Sequence, residues 1–99
     1  MKQKKKANRY NVQVLDRAIR ILATLSNGTP STLTQLSEAI GVSDSTTFRL
    51  LAILSSHNSV ERNEESGGYS LGLACLELAR AYLVSSEVRR EALLELEGV

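Results

Sequence analysis

Aromatic side chains are nearly missing from this 99-residue chain, which has one phenylalanine, three tyrosines and no tryptophan. Any core must therefore be aliphatic, which suits packed helices. Cysteine is represented by Cys75 alone, so an internal disulfide is excluded and nothing argues for an oxidising compartment. The single histidine, His57, has no cysteine or second histidine near it in sequence, so zinc-type ligation has no starting point and a solvated loop position is expected. The apolar runs fall far short of the roughly 20 residues that span a bilayer. No apolar segment of signal-peptide type follows the basic N-terminus. The expectation is a soluble, cytoplasmic protein. Clustered nucleophiles, bases or metal ligands are also lacking: Glu91, Glu95 and Glu97 fit a solvated helical face, and Gly67, Gly68 and Gly72 fit turns rather than a phosphate loop. Neither an enzyme nor a cofactor or metal site is indicated.

What is present is enough for one domain, with 42% hydrophobic residues in a length typical of a single core. Net charge is only +1, but its distribution is uneven. Residues 1–20 hold Lys2, Lys4, Lys5, Lys6, Arg9, Arg17 and Arg20 against Asp16, whereas the remainder holds five arginines and ten acids. A basic segment joined to a mildly acidic body favours polyanions, because a lysine or arginine that neutralises a phosphate releases a counterion. For Lys2–Lys6 alone, a solubilising tail is an equal reading. Residues 1–11 are expected to form a flexible basic arm.

Hydrophobic periodicity predicts a first helix over Val14–Leu25, with Leu15, Ala18, Ile19, Leu22 and Leu25 inward and Asp16, Arg17 and Arg20 outward. Asn27-Gly28 and Pro30 end it. Ser31–Leu33 could form one short strand. A second helix is predicted over Thr34–Ile40 with Thr34 as its cap and Leu36 and Ile40 on one face. Gly41 breaks it, and Ser43 caps a third helix over about Asp44–Ser56. There Thr47, Leu50, Leu51 and Leu54 form the inward stripe, and Ser45, Phe48, Arg49 and Ala52 lie opposite. The period then alternates: Val60–Arg62 and Tyr69–Leu71 read as two strands around the polar, glycine-rich loop 63–68. Helical character returns over Leu73–Leu83, and again over Glu87–Leu96 after Ser85-Ser86.

The turn between the second and third helices is the informative feature. Leu36, Ile40, Val42 and Leu50 are apolar where two steeply crossing helices must meet, Ser37 is small where they approach, and Gly41 can leave the helix in a left-handed conformation. Thr47 stands where an aliphatic is usual, and its hydroxyl can bond the Ser43 carbonyl one turn back. With the hairpin directly after the third helix, the pattern predicts a mainly α fold with a small β-hairpin: a winged helix-turn-helix over 12–72, then a linker helix over 73–84.

The segments VQVLDRAIRILATL, TLTQLSEAIGVSDSTTFRLLAIL and YSLGLACLELARAYL resemble the N-terminal domain of the IclR family, the isocitrate lyase regulator type. The likeness covers residues 12 to about 97, most specifically Ser45-Thr46 followed by Arg49-Leu50-Leu51 and the Tyr69, Leu71-Gly72 hairpin exit. It implies a DNA-binding transcription regulator with a linker helix, dimerisation and a larger C-terminal effector domain. Residues 85–99 would begin that second domain, so the chain reads as a DNA-binding fragment in which no small-molecule effector is expected. The resemblance also implies that the third helix enters the major groove, with Ser45, Thr46, Phe48 and Arg49 as contacts. The outward amides at its N-terminus favour a phosphate, the two hydroxyls can bond phosphates or base edges, and Arg49 can pair with phosphate or with guanine. Capping is the alternative role for Ser45 and Thr46.

Three positions depart from the family pattern. Asp44 is an acid where a basic or neutral residue is more usual. Phe48 replaces a commoner histidine and can either touch a thymine methyl or pack against the hairpin. Glu64 and Glu65 put acids at the wing tip, leaving Arg62 at its base as the wing's candidate contact. Much of the salt-dependent affinity would then fall to the arm and to Arg17 or Arg20.

The linker helix is apolar almost all round, which calls for burial on more than one side. A two-fold homodimer through Leu73, Leu76, Tyr82 and Leu83 meets that need, and an effector domain lying over the helix is the other possibility. The acidic wing and Asp44 also keep open a second function, a winged-helix protein-interaction or dimerisation module that never meets DNA. The expected partners are thus double-stranded DNA and a second copy, with no membrane.

Overall fold

The computed structural model describes residues 2–85, 91, 94 and 95, with residues 2–11 as backbone alone. Six elements follow in order: α1 Lys2–Leu25, α2 Leu33–Ile40, α3 Asp44–Ser56, β1 Val60–Arg62, β2 Tyr69–Leu71 and α4 Leu73–Val84. The two strands pair antiparallel with Val60 opposite Leu71, Glu61 opposite Ser70 and Arg62 opposite Tyr69. This is the winged helix-turn-helix expected from the sequence. The helix expected over 87–96 falls largely outside the described residues.

Helix α1 starts at Lys2 rather than Val14, so the segment expected as a flexible arm continues the helix. Its lysines, glutamine and alanine favour helix and it holds neither glycine nor proline, so nothing in it stops the backbone hydrogen bonds from running on. The inward face of α1 is also rotated from the expected one. Ile21 is fully buried with Leu25, and Val14 and Leu22 pack beside them, while Leu15 and Ile19 are 60% and 55% exposed. The helix carries two adjacent apolar stripes, Val14-Ala18-Ile21-Leu25 and Val12-Leu15-Ile19, and periodicity alone does not choose between them.

The second helix begins at Leu33, one residue earlier than expected, and its cap is Thr32 rather than Thr34. The Thr32 hydroxyl accepts from the Gln35 amide at 3.2 Å and the Gln35 side chain accepts from the Thr32 amide at 2.8 Å, a reciprocal capping box. Thr32→Ala is therefore expected to cost about 1 kcal/mol of stability in denaturant unfolding, whereas Thr34→Ala should change it by far less. Of the strand that residues 31–33 could have formed, Ser31 alone pairs: it exchanges backbone hydrogen bonds with Tyr69 at 3.0 and 2.7 Å as an isolated bridge beside the two-stranded sheet.

The turn behaves as its residues dictate. Gly41 takes a left-handed conformation (φ 72°) and its amide bonds back to the Ser37 carbonyl at 2.9 Å. Ser37 is buried between the helices, its hydroxyl donating to Leu33 O at 2.9 Å. Ser43 caps α3 through the Thr46 amide at 3.2 Å. Thr47 is fully buried and its hydroxyl donates to Ser43 O at 2.9 Å, so the one polar side chain in that stripe has its partner within the helix. Ile21, Leu25, Leu36, Ile40, Leu50, Leu51, Val60 and Tyr69 make a single core drawn from three helices and both strands.

Helix α4 leaves this core. No residue of it is buried, and its first turn is held by backbone bonds from Gly72 N to Ser59 O at 2.8 Å and from Ala74 N to Asn58 O at 2.9 Å. Cys75 is half-buried, and its thiol donates to Ser59 O at 3.2 Å. Leu73, Leu76, Leu78, Tyr82 and Val84 are exposed, and Leu83 is half-buried. Among the described residues, no helix is long and apolar enough to cross a membrane.

Candidate nucleic-acid interface

Core packing fixes which side of α3 faces out. With Thr47, Leu50 and Leu51 buried, Ser45, Phe48, Arg49 and Ala52 share the exposed arc, spaced three and four residues apart. Ser45 and Ala52 form the low middle of this ridge. Phe48 and Arg49 rise on either side, about 100° apart around the axis as consecutive residues must be. The N-terminal hydroxyls form a cluster: Ser43 Oγ donates to Thr46 Oγ1 at 3.0 Å and lies 3.3 Å from Ser45 Oγ. Thr46 is thus tied to the cap, but a hydroxyl that accepts one bond keeps its own proton to donate outward.

Beside the ridge, on the Arg49 side, α1 and α3 enclose a shallow notch of about 190 Å³ lined by Val14, Arg17, Thr46, Arg49 and Leu50. Val14 and Leu50 floor it with apolar surface, while two guanidinium-bearing residues and a hydroxyl rim it. The residues lining it include no acid. Such a set suits an oxygen anion, since guanidinium forks match phosphate geometry and the neighbouring N-terminus of α3 carries partial positive charge. Arg17 and Arg49 stand 32 positions apart in sequence, and only the packing of α1 on α3 brings them to one place.

The other basic candidates lie elsewhere. Arg20 reaches the C-terminal end of α2, with its guanidinium 3.4 Å from Ile40 O and 3.5 Å from Ala39 O. There it meets the negative end of a helix dipole. Arg62 is exposed on the wing, with its guanidinium beside Gly67. Glu64 and Glu65 are exposed at the tip, in a loop pinned by Asn63, whose side chain accepts from their neighbouring amides Glu65 N and Ser66 N at 2.9 and 3.2 Å. Phe48, the aromatic candidate of α3, has 56% of its surface open to solvent.

Residues 14–64 match the IclR helix-turn-helix domain. The chain belongs to the IclR family. It is 32% identical over 82 residues to the HTH-type transcriptional regulator XynR of Escherichia coli K12, covering 82% of this chain and 32% of XynR. It is 33% identical over 85 residues to the glycerol operon regulatory protein of Streptomyces coelicolor, covering 85% of this chain and 34% of that protein. Among solved structures, the IclR regulator of Alicyclobacillus acidocaldarius superposes with a TM-score of 0.66 at 36% identity, over 71% of this chain and 29% of that one. An IclR homologue from Microbacterium sp. strain HM58-2 gives 0.67 at 26% identity, over 85% and 35%. The chain thus spans about a third of the length of the relatives it matches. It carries the DNA-binding helix-turn-helix domain of IclR-type transcription regulators, with α2 and α3 as the two helices of the motif and β1–β2 as the wing.

Two features of this IclR-type domain were not legible in its sequence. One is the partnership of Arg17 with Arg49 over an apolar floor. The other is the exposed stripe Val12-Leu15-Ile19 on α1, which joins α4 as unpartnered apolar surface.

Proposed function

We propose that this domain regulates transcription by binding double-stranded DNA sequence-specifically, with α3 in the major groove. The observation that carries the reading is the notch in which Arg17 of α1 meets Thr46 and Arg49 beside an outward ridge. It offers a phosphate site at the lip of a helix free of overlying protein. Ser45, Thr46, Phe48 and Arg49 face the bases or their flanking phosphates, Arg17 grips the backbone, and Arg62 meets it from the wing. Arg20 contributes through the end of α2 rather than by touching DNA.

A homodimer completes the site. Exposed apolar residues on α4 (Leu73, Leu76 and Tyr82, with Leu83 half-buried) and on α1 support it, because an apolar helix side gains by pairing with its two-fold copy. Such a dimer reads a pseudo-palindrome whose half-sites lie one helical turn, or a multiple, apart.

The exposed acids Asp44, Glu64 and Glu65 favour a second reading, a winged-helix module that binds protein instead. Titration of the chain with a mixed-sequence duplex at low and moderate salt separates the two. Each phosphate neutralised should steepen the fall of log affinity with log salt by about 0.9, so a slope of several is expected. Absence of binding at low salt would overturn the DNA-binding reading and support the protein-interaction module.

A further inference from the structure

We propose that Phe48 is the specificity-determining residue of the recognition helix and that it reads thymine by apolar contact with the C5-methyl group. The inference rests on the DNA-binding reading above and adds the base that is recognised.

Four observations converge on it. Phe48 is the only phenylalanine of an aromatic-poor chain, and it stands 56% exposed on one side of the outward ridge of α3. On its own side of α3 it is the one large exposed apolar residue, since Ile53, 55% exposed, lies beyond Arg49 on the other side. Its neighbours on the exposed arc are Asp44, Ser45, Arg49 and Ala52, all exposed and none of them large and apolar. A protein-docking surface is a contiguous apolar patch, as α4 presents; a lone ring among small and polar groups is not one. The two flanks of α3 differ in charge as well. Arg49 and Thr46 line the cationic notch with Arg17, whereas Phe48 lies on the opposite flank next to Asp44. A carboxylate there repels phosphate, so the Phe48 flank faces the floor of the groove while the Arg49 flank faces its wall.

The chemistry on that floor fits one base. Thymine alone among the unmodified bases presents a methyl group to the major groove, and its O4 acceptor lies beside that methyl. Phe48 offers apolar surface for the first, and the Ser45 hydroxyl, one turn back on the same face, offers a proton to the second. Ala52, one turn onward, is small enough to let the helix sit close.

The test starts from the duplex that the full chain selects from a randomised pool, in which each thymine is replaced in turn by deoxyuridine. That change removes the methyl and leaves pairing and O4 intact. At one position of each half-site the wild type should lose affinity about four-fold, the amount expected for uncovering one buried methyl group. Phe48→Ala should bind thymine and uracil duplexes equally at that position, and Phe48→Leu should retain part of the discrimination. Circular dichroism checks that both variants are folded, as substitution at an exposed position should leave them.

If no single thymine-to-uracil change weakens the wild type, or if Phe48→Ala keeps the full discrimination, the assignment is wrong. If Phe48→Ala instead alters the sedimentation of the free protein with base preference intact, the ring serves a protein contact and the assignment is equally wrong. A chain that binds no duplex even at low salt would overturn the DNA-binding reading itself, which is a different failure.

Discussion

Gly72→Ala is expected to destabilise the fold by about 3 kcal/mol or more, although alanine is among the mildest of substitutions. Gly72 has ordinary extended dihedrals (φ −95°, ψ 175°), so its requirement is for space rather than conformation. A methyl group there would strike the Asn58 carbonyl oxygen and lie 2.8 and 3.1 Å from the carbonyl carbons of Asn58 and Ser59. These are backbone atoms in the turn that ends α3, where Asn58 is held in a left-handed conformation at φ 59° and Ser59 N bonds Leu54 O at 2.9 Å. They cannot move without breaking the bonds that carry the chain from α3 into β1 and dock the start of α4. Gly41→Ala makes the contrast. Its φ of 72° costs alanine roughly 1–2 kcal/mol, but the space around it is open. Denaturant unfolding followed by circular dichroism should therefore rank Gly72→Ala as the more damaging of the two. The reverse order would mean that the α3–β1 turn yields more readily than its hydrogen bonds suggest.

Removing both arginines of the notch should abolish most DNA binding. Arg49→Ala alone is expected to cost about 1–3 kcal/mol, and Arg17→Ala alone to weaken all sequences similarly while lowering the salt slope by about 1. The double variant is expected to lose about 3 kcal/mol, more than a hundred-fold in affinity. Because the two side chains line one cavity, their effects should also fail to add, with a coupling of about 0.5 kcal/mol or larger. Fluorescence anisotropy on the four proteins of the cycle measures this. Strict additivity would mean that the two residues grip separate phosphates. Unchanged affinity in the double variant would remove α3 from the groove. Both positions lie at the surface or half-buried, so the fold should survive the changes.

The parts of the fold fixed by neighbouring residues were legible in the sequence. The Ser43 cap, the Gly41 turn, the back-bonded Thr47 and both wing strands follow from short-range patterns of capping, chirality and alternation, and each appears where those patterns put it. What depends on packing between distant segments was not legible. Helix α1 has two apolar stripes of similar strength, and only the shape of α2 and α3 selects the one containing Ile21. Thr32 and Thr34 are both plausible caps by type. The choice went to Thr32 because Gln35, three residues on, closes the box while the chain upstream is held straight by the Ser31 bridge to Tyr69. Arg17 and Arg20 look alike as outward cations on one helix. Their separation by about 300° of helical rotation sends one to the α3 notch and the other to the carbonyls closing α2. The ridge residues Ser45, Phe48 and Arg49 were visible as a face, but how much of Phe48 stays open to solvent could be known only from coordinates.

Helix α4 is fastened to the body by its first turn and by nothing buried thereafter. Its 12 residues make a rod of about 18 Å pivoting at the Gly72 junction. Tilting such a rod by 10° swings its far end through roughly 3 Å, close to the 3.4 Å rise of one base-pair step. In the proposed dimer the angle at that pivot would therefore set the distance between the two reading heads, and a small rotation would be enough to move them out of step with the double helix.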